Sequence, residues 1–153
     1  MFIQGPNQEK FEIKNIILDL NGTLSVSGIV SKKTKSQIFK LKDLGYQIIL
    51  ISGDIRGTAS NIAKQLNIEL FIGQNSEEKA ERMQDLEAEK TAAIGNARID
   101  IGTFKNAKLS IATLQAEGIH TGIIPYVDII VPNINDALNL FIETTSLEAT
   151  LRI

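Results

Sequence analysis

Hydrophobic positions in this chain fall into short unbroken runs, separated by stretches in which they recur at helical spacing. Ile16, Ile17 and Leu18 form a run that ends at Asp19 and is broken by Asn21-Gly22-Thr23. A short buried strand entering a polar turn is the reading this supports. Residues 31–44 place Ile38, Leu41 and Leu44 on one face with lysines on the others, and Gly45 follows as a stop signal. The same logic predicts strands at 47–51, 68–72, 91–94, 109–112 and 128–131. Helices are predicted at 58–66, from a Ser76 cap through Leu86 or slightly beyond, and at 134–142. Residues 2–13 read as a short hairpin that turns at Gly5-Pro6-Asn7. Strands that alternate with helices imply a parallel sheet covered on both faces. Ligands of such sheets sit beyond the carboxyl ends of the strands, which makes the residues at each strand end the informative ones.

Length and composition narrow the class. The 153 residues suit a single domain spanning 1–153, large enough to bury roughly 70% of its unfolded surface. With 43% hydrophobic and 22% charged residues the chain has a globular composition, and the net charge of −2 gives no nucleic-acid footprint. There is no cysteine and only one histidine, His120. Thiolate zinc sites, iron–sulfur clusters, cysteine nucleophiles and His-rich metal cages are therefore excluded. Apolar runs such as residues 48–51 are far shorter than the ~20 residues of a membrane helix. The first residues are polar and acidic where a signal peptide would be apolar. The expected location is the cytoplasm, with no membrane association.

Four strand ends carry candidate chemistry: Asp19 to Thr23, Ser52-Gly53-Asp54, Gly95-Asn96 with Asp100, and the helix start bearing Lys79. Two carboxylates brought to ~4 Å repel by about 4 kcal/mol at an effective dielectric of 20. Asp19 and Asp100 would therefore call for a cation. Mg²⁺ is bound by one or two carboxylates with waters and a phosphate oxygen, which points to phosphate chemistry. Ser52 and the Gly53 amide would donate to phosphoryl oxygens, Lys79 would neutralise developing charge, and Asp19 would be the nucleophile. Each feature also has a plainer reading. Strand-end aspartates more often shape turns, Ser52-Gly53 is an ordinary loop sequence, and Lys79 lies in a charged run with Glu77, Glu78, Glu81 and Arg82. Asn96 and Asp100 fit simple turn chemistry.

In order and spacing, these segments resemble the haloacid dehalogenase-like hydrolase superfamily, and within it the small soluble proteins similar to the phosphorylation domain of P-type ATPases. Residues 16–24, IILDLNGTL, are similar to the first motif, a strand followed by Asp-x-Asp-Gly-Thr. Residues 50–54, LISGD, resemble the second; Lys79 stands where the third motif's lysine is expected; and residues 93–100, AIGNARID, resemble the fourth. Residues 149–152 are similar to the subgroup's C-terminal segment. The resemblance implies a three-layer, Rossmann-like α/β fold. It makes Asp19 the nucleophile and gives Mg²⁺ to Asp19, the Asn21 carbonyl and Asp100, with Asn96 supporting the metal shell through water. Ser52, Gly53 and Lys79 would hold the phosphoryl group, and Thr23 beside them would order the nucleophile loop through hydrogen bonding.

Three departures from the superfamily pattern bear on function. Asn21 stands where phosphatases carry an Asp that serves as general acid and then base, help worth ~10²–10⁴-fold. P-type ATPases carry a Thr there and hold a long-lived aspartyl phosphate, so Asn21 also fits slow turnover. In the fourth motif Asn96 replaces an Asp and Ala97 a Gly. No insertion long enough for a cap domain follows the first motif or separates Ser52 from Lys79. The site is therefore expected to be open to a large substrate or closed by a neighbouring subunit.

The expected function is a Mg²⁺-dependent phosphohydrolase, slow because of Asn21, acting on a small or macromolecular phosphorylated substrate. Two other readings stand beside it. One is a catalytically weak module binding phosphate or a protein. The other is ATP hydrolysis, disfavoured by the absence of a Gly-x-x-x-x-Gly-Lys loop. His120, in a glycine-flanked loop, reads as a surface or turn residue.

Overall fold

A computed structural model describes residues 2–4, 10–54, 57–115 and 117–151. The N-terminal hairpin pairs β1 (Phe2–Gln4) with β2 (Lys10–Glu12) in antiparallel register. Its expected turn at residues 5–7 lies outside the described residues, as does Arg152. The central strands are β3 (Asn15–Asp19), β4 (Gln47–Ser52), β5 (Glu69–Ile72), β6 (Thr91–Gly95), β7 (Leu109–Thr113) and β8 (Ile129–Val131). They form one sheet in the order β5-β4-β3-β6-β7-β8, and every pairing is parallel.

Side-chain parity divides the core in two. Ile16 and Leu18 of β3, with Ile48 and Leu50 of β4, face helices α1 (Lys32–Asp43), α2 (Thr58–Leu66), α5 (Ile134–Ile142) and α6 (Thr144–Leu151). Ile17, Ile49 and Ile51 face the opposite way, toward Met83 and Phe104 beside α3 (Ser76–Arg82) and α4 (Ile101–Lys105). Both faces are thereby covered, in three layers, and among the described residues no cap is inserted between the motif-bearing segments. Asp19 shares the parity of Ile17, so it stands on the α3 side of the sheet at the end of β3.

The strand order reverses between β3 and β6. From β3 the chain moves outward through β4 and β5, then returns to place β6 on the other side of β3. A crevice outside the carboxyl ends of β3 and β6 follows from this reversal. Asp19 stands at the end of β3, and Asp100 lies in a 3-10 turn (Arg98–Asp100) just beyond β6.

Three local expectations change. Asn75, not Ser76, caps α3 by accepting from the Glu78 amide, and the helix ends at Arg82 with Met83 as C-cap rather than reaching Leu86. Ser76 instead accepts a hydrogen bond from the Gly102 amide at 2.8 Å. Two helices, α4 and α6, add to those the periodicity predicted. Among the described residues, no helix is long and apolar enough to cross a membrane.

Candidate active site

The floor of the crevice is a buried three-charge cluster. Lys79 Nζ donates to Asp19 Oδ1 and to Asp100 Oδ1, both at 2.7 Å, and the lysine is only 1% exposed. Lys79 is therefore no surface lysine of its charged run: it points inward while Glu77, Glu78, Glu81 and Arg82 face solvent. Asp100 Oδ2 accepts from the amides of Asn96 and Ala97, each at 3.0 Å. A Cβ at position 95 would stand 2.5 Å from that oxygen, so Gly95 is what lets the Asp100 carboxylate fold back over the end of β6.

Burial dominates the electrostatics. It raises the Asp19 carboxyl to about 7, with the Asp100 charge pushing the same way and Lys79 opposing both. Burial alone would lower the Lys79 ammonium, but Asp19 and Asp100 overcome it and hold the ammonium above its ordinary range. When both carboxylates are ionised, they and the one ammonium leave a surplus negative charge on buried side chains at the cleft floor. This oxygen-donor set suits a hard divalent cation that takes one or two carboxylates and completes its shell with water and phosphate. Among the described residues no three carboxylate or imidazole groups cluster as an all-side-chain cage. A cation here would draw on Asp19, Asp100 and the Asn21 carbonyl.

The cleft above this floor has a volume of about 500 Å³ and is lined by Asp19, Asn21, Ser52, Gly53, Lys79, Asn96 and Glu117, among others. The end of β4 thus reaches the same space as the end of β3. Ser52 is buried at 2% exposure, and its hydroxyl oxygen accepts from the Asp54 amide at 3.0 Å. That bond leaves the hydroxyl proton free to donate. Asn21 is exposed in the cleft wall.

Two of the expected site residues are bonded to one another. Thr23 has no exposed surface, and its hydroxyl donates to Asn96 Oδ1 at 3.3 Å. Through that bond Thr23 ties the nucleophile loop to the end of β6. The Asn96 amide nitrogen donates to the Gly118 carbonyl at 2.9 Å. With both ends engaged, the Asn96 side chain ties the nucleophile loop to the loop after β7 at the edge of the cleft. His120 is exposed and accepts the Gly122 amide on Nδ1 at 3.1 Å, in keeping with a turn residue.

Sequence reasoning missed the contribution of the loop after β7. Thr113 and Gln115 both donate to the Gly22 carbonyl, at 3.2 and 3.0 Å, and Gln115 also reaches the Thr23 carbonyl. Glu117 enters the cleft from the same loop. No local motif marks these residues. Their role comes from β7 lying beside β6, which only the sheet order supplies.

Comparison with known proteins places these residues in a wider context. Residues 16–76 match the sequence model of a haloacid dehalogenase-like hydrolase family. Over 96 residues the chain is 32% identical to the copper-exporting P-type ATPase of Staphylococcus aureus (strain COL). That alignment covers 61% of this chain and 12% of the ATPase, so the chain spans only a small part of that relative. Among solved structures, the 3-deoxy-D-manno-octulosonate 8-phosphate phosphatase of Moraxella catarrhalis, in complex with magnesium, phosphate and KDO, superposes with a TM-score of 0.73. The identity is 17%, over 90% of each chain. The cobalt-bound deoxy-D-mannose-octulosonate 8-phosphate phosphatase of Haemophilus influenzae gives a TM-score of 0.71 at 19% identity, covering 90% of this chain and 92% of that one. At these identities the likeness is one of fold.

Proposed function

The chain carries haloacid dehalogenase-like hydrolase sequence at residues 16–76 within that superfamily's fold, and from that premise we propose that it is a Mg²⁺-dependent phosphohydrolase working through an aspartyl phosphate on Asp19. The observation that carries this reading is the buried cluster in which Asp19 and Asp100 converge on Lys79. Placing one cation against two carboxylates below an open cleft is a costly arrangement for a purely structural purpose. It is a useful one where a dianionic group must be bound beside a carboxylate nucleophile.

In this reading Asp19 uses the oxygen that Lys79 does not hold to attack the phosphorus of a bound phosphoester. Lys79 fixes the carboxylate and offsets charge that grows on the phosphoryl oxygens. Ser52 Oγ and the Gly53 amide donate to those oxygens from the end of β4. Asp100, held by two backbone amides and by Lys79, keeps the opposite wall anionic. Bound Mg²⁺ would supply charge neutralisation and orientation of the phosphoryl group, held by Asp19, Asp100 and the Asn21 carbonyl. The open cleft admits a small or a macromolecular phosphoester, or is closed by a neighbouring subunit.

Turnover of a generic aryl phosphate tests the proposal, measured with and without Mg²⁺ on wild type, Asp19→Asn and Asn21→Asp. Metal-dependent release of phosphate that vanishes in Asp19→Asn is the expected result, with Asn21→Asp faster than wild type. Activity that survives Asp19→Asn would sink the mechanism. Asn21 and Asn96, each standing where the superfamily pattern has an Asp, favour a second reading, a phosphate- or protein-binding module with little catalysis. That reading expects Mg²⁺ binding without turnover in the same assay.

A further inference from the structure

The loop after β7 brings to the nucleophile turn a carboxylate that the sequence motifs lack. Thr113 and Gln115 fasten this loop to the Gly22 carbonyl at 3.2 and 3.0 Å. On its other side Asn96 binds the Gly118 carbonyl at 2.9 Å, and the His120 amide donates to the Asn96 carbonyl at 2.9 Å. Glu117 lies between these fastenings. Its Oε2 is 3.0 Å from the point where a Cβ on Gly22 would stand. Gly22, at φ +74°, permits the turn, and the space beside it is taken by Asn96 Nδ2, 2.5 Å from the same point, with the Glu117 carboxylate next to it.

Glu117 is exposed and lines the same cleft as Asp19, Asn21 and Lys79. Among the described residues no hydrogen bond or ion pair engages its carboxylate. The superfamily pattern wants a proton-transferring carboxylate beside the nucleophile, and Asn21 provides only an amide. A free carboxylate supplied from another strand end occupies the wall next to it.

We propose that Glu117 is the general base for hydrolysis of the aspartyl phosphate, a catalytic role Asn21 leaves open. The proposal rests on the phosphohydrolase reading of Asp19. In the step concerned, a water oxygen attacks phosphorus and the bond from phosphorus to Asp19 breaks. Its electron pair returns to the Asp19 carboxylate, one water proton passes to the Glu117 carboxylate, and inorganic phosphate leaves. Formation of the aspartyl phosphate from an aryl phosphate needs no proton from Glu117, because an aryl oxide is a competent leaving group unaided. The two half-reactions therefore respond differently to its loss.

The test uses the full chain with p-nitrophenyl phosphate and Mg²⁺. Rapid-mixing kinetics would follow the p-nitrophenol burst, and intact-mass spectrometry the lifetime of the phosphoenzyme. Glu117→Gln keeps shape, lies on the surface and should fold as wild type. The variant is expected to show an undiminished burst, dephosphorylation slowed by ~10²-fold or more, and accumulation of phosphoenzyme. Adding Asn21→Asp to it should restore dephosphorylation. A dephosphorylation rate unchanged in Glu117→Gln overturns the proposal, and so does a slow variant that Asn21→Asp fails to speed. If wild type forms no phosphoenzyme and matches Asp19→Asn in the assay, the phosphohydrolase reading itself is what fails, and the role of Glu117 falls with it.

Discussion

Lys79 shows how much one side chain contributes at the residue scale. Its ammonium is buried and is the cationic partner of both Asp19 and Asp100 among the described residues. Lys79→Met keeps the volume but removes the charge, leaving two carboxylates in a dry pocket with no cation. Breaking a buried ion pair from one side costs about 3–5 kcal/mol, and urea denaturation at pH 7 in a chelating buffer should find a loss of that size. The loss should grow above pH 7 and shrink below it, because the folded chain takes up a proton on Asp19 near that value. A variant as stable as wild type at pH 7 would mean that the two carboxylates are not held together as described. The sequence marks Lys79 only by its spacing from the other motifs, because its local run of charges is indistinguishable from a solvated helix. For Thr23 and Asn96 it was the partner that could not be read, since the bond joining them spans 73 positions.

At the scale of elements, the Asp19–Lys79–Asp100 cluster depends on how closely α3 and α4 approach. A Cβ at position 102 would lie 2.0 Å from the Ser76 carbonyl oxygen, and the Gly102 amide is bonded to Ser76 Oγ. Ser76 stands one helical turn before Lys79, and Gly102 two residues after Asp100, so this contact sets the Lys79–Asp100 distance. Gly102→Ala would force the helices apart. Overpacking of this kind costs about 1–3 kcal/mol. Phosphatase activity is expected to fall with stability although position 102 does not line the cleft, and urea melts with initial rates would check both. Retention of full activity would show that the helices can separate without disturbing the cluster. This contact also marks the limit of sequence reading for elements. The helices α1, α2 and α5 were legible because each runs nine residues or more with a clear apolar face. By contrast, α4 has five residues and is held by docking against α3, and α6 carries little amphipathic pattern. The six sheet strands were legible as apolar runs. Their lateral order, which places β7 and its loop against the nucleophile turn, is a long-range property that no local window contains.

For the whole molecule, the site sets stability against chemistry through pH. The sheet gathers Asp19 and Asp100 at its switch point, and burial there raises the Asp19 carboxyl to about 7 from an ordinary 3.8. Between those values the folded chain keeps a proton that the unfolded chain has released. At this group the folded state therefore binds more protons, and its contribution to stability falls as pH rises across this window. Lys79 stays charged throughout, its ammonium being held above its ordinary range, and so adds no opposing slope. Asp19→Asn removes the ionisation while keeping the shape. In chelating buffer the variant should melt above wild type at pH 8, and the gap should narrow steadily toward pH 4. Each unit of raised pKa corresponds to about 1.4 kcal/mol of stability withheld from the ionised form, so the gap at pH 8 should amount to several degrees in melting temperature. Mg²⁺ stabilises whichever state binds it, and at pH 8 it should recover much of the wild-type deficit and little in Asp19→Asn. Calorimetric scans of both proteins from pH 4 to 8, with and without Mg²⁺, give the comparison. Parallel curves for wild type and Asp19→Asn would show that the crevice floor imposes no electrostatic strain, and with it would go the argument that a surplus negative charge is held there to receive a cation.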